Sequence, residues 1–271
     1  MRRLCQVLLL AAISSGTSLA QSPTLAGIAH VAFRVSDVQK SRDFYRTLGF
    51  EQAFEFADAG KTSVSYVKVN DHQFIELYQR KDQSQPIGFM HLCFEASDLE
   101  ALAKEYVTRG LDASTPRKAR AGNLLSGIHD PDGQLIEYTQ YLPESLHSED
   151  SGKHLGEKRV SVHLLRVAIH ARNVAAVESF YTDKLSFGLF TDAKSVGLRL
   201  PGDSDEEIDL AANGSVNSCL VFEVSDIQQA AEALRTRGLR VVDEDKAVSV
   251  TDPDGTIITF ALKGSRYRRK L

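Results

Sequence analysis

Positive charge is not in excess in this chain: 32 Lys and Arg stand against 36 Asp and Glu, for a formal charge of −4. A protein that grips a polyanion needs a basic patch or stripe, so nucleic acid is not an expected partner. The basic tail GSRYRRKL, residues 264–271, reads as a solvated terminus. Cysteine is scarce, with 3 residues in all. Cys5 lies in the leader described below. Cys93 and Cys219 fall in expected strands of different repeat units, which favours buried free thiols over a disulfide. Long apolar runs are missing too. The run VLLLAAI is too short to span a bilayer, so no membrane span is expected. Arg2 and Arg3 precede it, and SSGTSLA and then QS follow it. A charged start, a short apolar stretch and a small-x-Ala site together mark a secretory signal over residues 1–20, cleaved after Ala20, and an exported protein, periplasmic or secreted. What remains, with 42% hydrophobic and 25% charged residues overall, is an ordinary globular composition.

The chain repeats itself. Residues 27–45, GIAHVAFRVSDVQKSRDFY, align without gaps to residues 163–181, HLLRVAIHARNVAAVESFY. Residues 90–110, MHLCFEASDLEALAKEYVTRG, align to residues 218–238, SCLVFEVSDIQQAAEALRTRG. The phrases HDPDGQLIEY (129–138) and TDPDGTIITF (251–260) complete the second match. Each segment opens on an alternating strand and continues into a helix. VSD, ASD and VSD offer N-caps for three of the four helices, and Gly110 and Gly238 stand where helices should stop. Strand-like stretches follow, SVSYVKV and QFIELYQ in the first unit and LLSGIH and QLIEYTQ in the second. The expected fold is α+β: four βαβββ modules at about 26–80, 87–142, 162–212 and 216–263, grouped as two paired-module domains over 26–142 and 162–263. The polar stretch 143–161 reads as a linker, and residues 264–271 as a tail.

Alternation splits each strand into two faces. Ala29, Val31, Phe33 and Val35 form the face expected under a helix, leaving Ile28, His30, Ala32 and Arg34 opposite. In FIELY, Ile75 and Leu77 oppose Phe74, Glu76 and Tyr78. The second module repeats the arrangement, with His91 and Glu137 off the apolar face. Each of the first two modules thus places one His on its first strand and one Glu on its last, 46 residues apart in both. A lone strand His is ordinarily structural and a lone Glu solvated. Four at matched positions on one expected face point instead to a site for one divalent ion, with Ni, Zn, Co, Mn and Fe all suited to these donors.

On these residues the chain resembles the vicinal oxygen chelate superfamily, whose members are built from paired βαβββ modules with ligands on first and last strands. The set His30, Glu76, His91 and Glu137 is most similar to bacterial-type glyoxalase I. That resemblance implies a metal-dependent lyase or isomerase acting on a small carbonyl or thiohemiacetal substrate. Its enediolate would be stabilised by the metal, with Glu137 as general base and Glu76 as its counterpart. It also implies substrate contacts at Arg34, Arg80, Arg117 and Lys118, with Arg120 in the same basic run; Arg80 departs from the Asn usual at its position. An iron-dependent ring-cleaving dioxygenase using His30, His91 and Glu137 is the alternative enzyme, and a non-catalytic binding or resistance protein the alternative outside catalysis. Either a monomer or a homodimer is compatible with four modules. In the C-terminal half Arg166, Asp209, Cys219 and Thr259 occupy the ligand positions. Arg stays protonated and is no ordinary ligand. That copy is therefore expected to be metal-free, with Arg166 and Asp209 paired.

Intact-mass analysis of protein recovered from the medium or periplasm of an expressing bacterium checks the leader. A chain starting at Gln21 is expected, and one retaining Met1 would remove the export assignment.

Overall fold

A computed structural model describes residues 24–192, 195–212, 219–263 and 265, with side chains for all of these except 191, 192, 195 and 219. The signal segment and all of the basic tail but Ser265 lie outside the described residues. Among the described residues no helix is long and apolar enough to cross a membrane.

The first module runs β1 (Leu25–Val35), α1 (Val38–Thr47), β2 (Glu51–Asp58), β3 (Lys61–Lys68) and β4 (Phe74–Gln79). The second runs β5 (Gly88–Ala96), α2 (Leu99–Thr108), β6 (Arg117–Lys118), β7 (Leu124–His129) and β8 (Leu135–Gln140). A short helix α3 (Leu146–Glu149) lies in the connection to the second half. There the third module comprises β9 (Leu164–Ala171), α4 (Val174–Ser179) with a π turn after it, β10 (Gly188–Asp192), β11 (Ser195–Arg199) and β12 (Glu207–Ala212). The fourth comprises β13 (Cys219–Val224), α5 (Ile227–Thr236), β14 (Val242–Glu244), β15 (Ala247–Thr251) and β16 (Ile257–Leu262). The fold is α+β, as the repeats imply. Asp37, Asp98 and Asp226 cap their helices through side-chain acceptance from backbone N–H groups, and Asn173 does the same for α4.

Each half is one eight-stranded sheet. The orders are β2-β3-β4-β1-β5-β8-β7-β6 and β10-β11-β12-β9-β13-β16-β15-β14. Two modules therefore join through their first strands, β1 against β5 and β9 against β13, both antiparallel. In each module the last strand lies parallel to the first. First and last strands of both modules thus fill the four central places of a sheet, and these are the strands that carry the His and Glu residues.

The halves share one apolar core that includes Val31, Phe33, Phe94, Val167, Phe222 and Phe260. The first module packs on the fourth (Phe50 to Phe222, ring centroids 5.1 Å apart) and the second on the third (Phe94 to Phe187, 5.5 Å). The repeated phrases serve this docking. In each DPDG turn the first Asp holds the turn: Asp130 accepts from the backbone N–H of Asp132 and Gln134, Asp252 from that of Asp254 and Thr256. The second Asp reaches across. Asp132 accepts from the N–H groups of Arg172 and Asn173 at the start of α4, and Asp254 from that of Ser36 ahead of α1 (3.0 Å). The repeated TRG acts likewise: Arg109 donates to Lys184 O (3.0 Å), and Arg237 to Thr47 O (3.0 Å) and Lys158 O (2.6 Å).

The connection 143–161 is packed, contrary to what its polarity suggests. Ser145, His147, Asp150 and Ser161 are buried. Lys68, fully buried, donates to the backbone and carboxylate of Asp150 (2.5 and 2.8 Å), which ties α3 to the sheet. Farther along, the chain crosses the end of α1 so closely that a Cβ on Gly49 (φ +90°) would lie 2.5 Å from Lys158 O.

Replacing Asp132 or Asp254 with Ala should cost about 1 kcal/mol each, the loss of a hydrogen bond between a carboxylate and backbone N–H groups of the other half. In a chain of this size calorimetry should show the melting temperature fall by roughly 2–4 °C per substitution, additively because the two contacts lie between different module pairs.

Candidate metal centre

His30, Glu76, His91 and Glu137 meet at the middle of the first sheet. Strand register explains it: Ala32 pairs with Glu76 on one side and His91 on the other, and Cys93 pairs with both His30 and Glu137. Pairing irregularities before His30 and after Ala32 re-aim this stretch of β1.

His30 Nε2 lies 3.2 Å from His91 Nε2 and 3.6 Å from Glu137 Oε2, and His91 Nε2 lies 3.2 Å from that same oxygen. Metal–ligand bonds of about 2.0–2.2 Å set neighbouring donor atoms roughly 3–3.5 Å apart, so this triangle fits one face of a coordination shell. Glu76 comes from the other side of His30, with Oε1 3.4 Å from Nδ1, and its Oε2 accepts from the Tyr78 hydroxyl at 2.9 Å. Burial lowers His30 to about 3 and His91 to about 4, leaving both imidazoles uncharged with lone pairs available at neutral pH. Burial raises the Glu76 carboxyl to about 8. Among the described residues no Lys or Arg forms an ion pair with either carboxylate. Two uncharged imidazole nitrogens facing each other at 3.2 Å need a proton or a cation between them, and the donor set fits a divalent ion.

Cys93 is a free, buried thiol, which burial holds protonated. Its sulfur lies near His30 and Glu137. A cleft of about 340 Å³ opens beside the quartet, lined by Arg34, Phe56, Val64, Tyr66, Tyr78, Lys81 and Arg120 among others. A second groove shares Asp58, Ser63, Gln79 and Lys81 with it and adds Lys61 and Arg80 among others. Arg34 donates to Pro86 O at 3.1 Å, and Arg120 pairs with Asp58 at 3.1 Å. Of the four residues expected at the substrate, Arg34 lines the cleft and Arg80 the groove. Arg117 and Lys118 line neither; they form the exposed edge strand β6, and Lys118 pairs with Glu144. Arg120 is the member of that run that reaches the cleft. Tyr78 was legible from alternation alone, sharing the face of Glu76. His147 was hidden by the polarity of its segment.

The second sheet holds the same register without the same chemistry. Ala168 pairs with Asp209 and Cys219, and Val221 with Thr259, matching the positions of Glu76, His91 and Glu137. Arg166 stands where His30 does, and is buried. It reaches Asp209 at 3.6 Å, as expected, but Glu207 is closer, at 2.9 Å from Nη2 and 3.0 Å from Nε. The adjacent carboxylate on β12 wins because it meets the guanidinium at two nitrogens.

Comparison with known proteins follows the same lines. Residues 27–138, which contain the whole quartet, match the pattern of the Glyoxalase/Bleomycin resistance protein/Dioxygenase superfamily. Virulence protein STM3117 of Salmonella typhimurium is 31% identical over 122 residues, covering 42% of this chain and 84% of that protein. Among solved structures, a Mn(II)-bound glyoxalase from Novosphingobium aromaticivorans superposes with a TM-score of 0.67 at 18% identity, over 89% of this chain and 84% of that one. The 2,3-dioxygenase LapB from Pseudomonas sp. KL28 gives 0.68 at 16% identity, over 93% and 96%. These two likenesses establish the fold. Together with the sequence match across the quartet's own strands, they place this chain in the Glyoxalase/Bleomycin resistance protein/Dioxygenase superfamily.

Proposed function

We propose that the chain is a divalent-metal-dependent enzyme of the lyase or isomerase kind, moving a proton at a carbon next to a carbonyl in a small anionic substrate. The quartet carries this reading: three buried donors, His30, Glu76 and His91, meet the half-buried Glu137, and among the described residues no Lys or Arg pairs with either carboxylate. His30, Glu76, His91 and Glu137 would hold the ion. When bound, it supplies Lewis acidity toward the carbonyl oxygen. Glu137, whose side chain is 17% exposed against 4% for Glu76, is the carboxylate that substrate can reach, and it takes the proton. Glu76, held by Tyr78 and ionised once the ion binds, is the counterpart of Glu137 on the other side, and the proton is returned to the neighbouring carbon from Glu137. Arg34 and Lys81 orient the anionic end, since Asp58, the one acidic residue lining the cleft, is already paired with Arg120. The glyoxalase among the similar structures supports the same chemistry. The leader read in residues 1–20 makes this an exported enzyme.

A second reading has an observation of its own. The tight triangle comprises two His and one Glu, with Glu76 on the far imidazole nitrogen, and that is the donor set of iron oxygenases. The dioxygenases among the similar structures favour it.

Elemental analysis and calorimetry on residues 21–271 should find about one divalent ion per chain, with affinity at least about tenfold weaker in Glu137→Gln. At pH 7 Glu76 is mostly protonated in the metal-free protein, so binding should release up to one proton. Affinity should therefore climb with pH up to about 8 and level off above it, as heats in buffers of different ionisation enthalpy would show. A chain that takes up none of Ni, Zn, Co, Mn or Fe ends the metal reading.

The oxygen electrode separates the two chemistries. Iron-loaded protein given catechol should consume no oxygen; steady consumption abolished by His91→Ala would replace the isomerase reading with the oxygenase one.

A further inference from the structure

His147 lies on α3, ten residues beyond Glu137 and outside the strands that carry the quartet, yet over the same face of the sheet. Its ring stacks on Tyr141 (centroids 4.6 Å apart) and meets Phe74, Phe54 and Tyr66 edge-on at 4.9, 5.0 and 5.6 Å. Phe74 is the strand partner of His30, and Tyr66 that of Glu76. Phe74 and Glu76 also share one face of β4 by alternation. The imidazole therefore sits toward the Phe74 and His30 end of this face, with Tyr66 between it and the cleft and Arg34 at the other end of the ladder. It is 3% exposed, and neither Nδ1 nor Nε2 has a hydrogen-bond partner.

An unpaired buried polar group costs on the order of 1–3 kcal/mol, and a phenyl ring would fill an aromatic box without that cost. The position is nevertheless rigidly built. Ser145 caps α3, and the buried Lys68 clamps Asp150 at its end. A histidine kept costly and fixed beside a reactive centre is one whose partner comes from outside the chain. We propose that His147 is a further substrate-contacting residue, whose imidazole hydrogen-bonds an oxygen of a small oxyanion lying over the quartet. The inference rests on the metal-centre reading above. The ring suits the task because burial, and next the neighbouring His30, lower it to about 3. At neutral pH it offers one N–H donor and one acceptor and brings no charge to compete with a cation. Of the groups facing it, Asp150 opposes this lowering and Lys68 adds to it.

The test uses the Zn2+-loaded mature chain with oxalate as the probe, beside His147→Phe and His147→Gln. Zn2+ affinity should stay within twofold of wild type in both variants. Oxalate affinity should fall about tenfold in the Phe variant, the loss of one hydrogen bond. It should be largely kept in the Gln variant, which retains a donor and an acceptor. Metal-free His147→Phe should melt at or above the wild-type temperature, which a histidine kept for stability would not allow. The imidazole 15N resonances of His147 should shift when oxalate is added. Unchanged oxalate binding in His147→Phe, or silent 15N resonances, would overturn the proposal. A tenfold loss of Zn2+ affinity would also overturn it, by making His147 a metal ligand. A wild type that binds no Zn2+ would overturn the metal-centre reading and this proposal with it, and the blank Zn2+ titration tells that result apart from the others.

Discussion

Two imidazoles and the Glu76 carboxyl are buried together in the middle of a sheet beside the half-buried Glu137, and among the described residues no Lys or Arg pairs with either carboxylate. Burying charge without a partner costs several kcal/mol per ion, so an apo protein meets the constraint by leaving groups uncharged. Here both imidazoles stay deprotonated and the Glu76 carboxyl keeps its proton up to about pH 8. That is a costly arrangement for a structural core and a suitable one for a site that receives a divalent ion. The rest of the sheet serves it. Antiparallel joining of β1 to β5 puts the first and last strands of both modules in the centre, where His and Glu converge without any loop having to position them.

The second sheet solves the same constraint from within. Arg166 brings a permanent cation to the place of His30, Glu207 and Asp209 neutralise it, and Thr259 replaces the remaining carboxylate with a neutral group. Arg166 is no ordinary ligand at that position, since a guanidinium does not deprotonate. Both sheets thus place buried charge at the same register positions. They differ in whether the cation belongs to the chain.

Much of this was legible in the sequence because strand alternation has a period of two and the repeats fix which strands correspond. Those regularities identify the faces, the quartet and its degenerate copy. They fail where contacts depend on how a loop returns. Arg117 and Lys118 look as suitable as Arg120, but only the third basic residue lies where the chain turns back over Phe56. The segment 143–161 is polar enough to read as solvated, yet Lys68 and Asp150 bury their charges against each other and carry His147 into an aromatic box. Composition records the polarity and not the pairing. Glu207 escaped notice for a similar reason. It sits two residues before the repeat-matched Asp209 on the same face of β12, and a long Arg side chain spans both.

The degenerate half is held to the working one by more than a shared core. The start of α1, next to the strand that carries His30, hydrogen-bonds Asp254, and the end of α1 is held by Arg237, both from the fourth module. In return Asp132 from the second module accepts at the start of α4. Each half thus holds the chain entering a helix of the other half, a helix that its own Asp37 or Asn173 caps. Loss of the C-terminal pair would expose the apolar face around Phe50 and Phe94 and would unclamp the helix behind the quartet. None of the docking contacts described above involves a ligand position of the second copy. Its turns and helix ends do take part, and DPDG and TRG read alike in both halves while Glu137 and Thr259 do not.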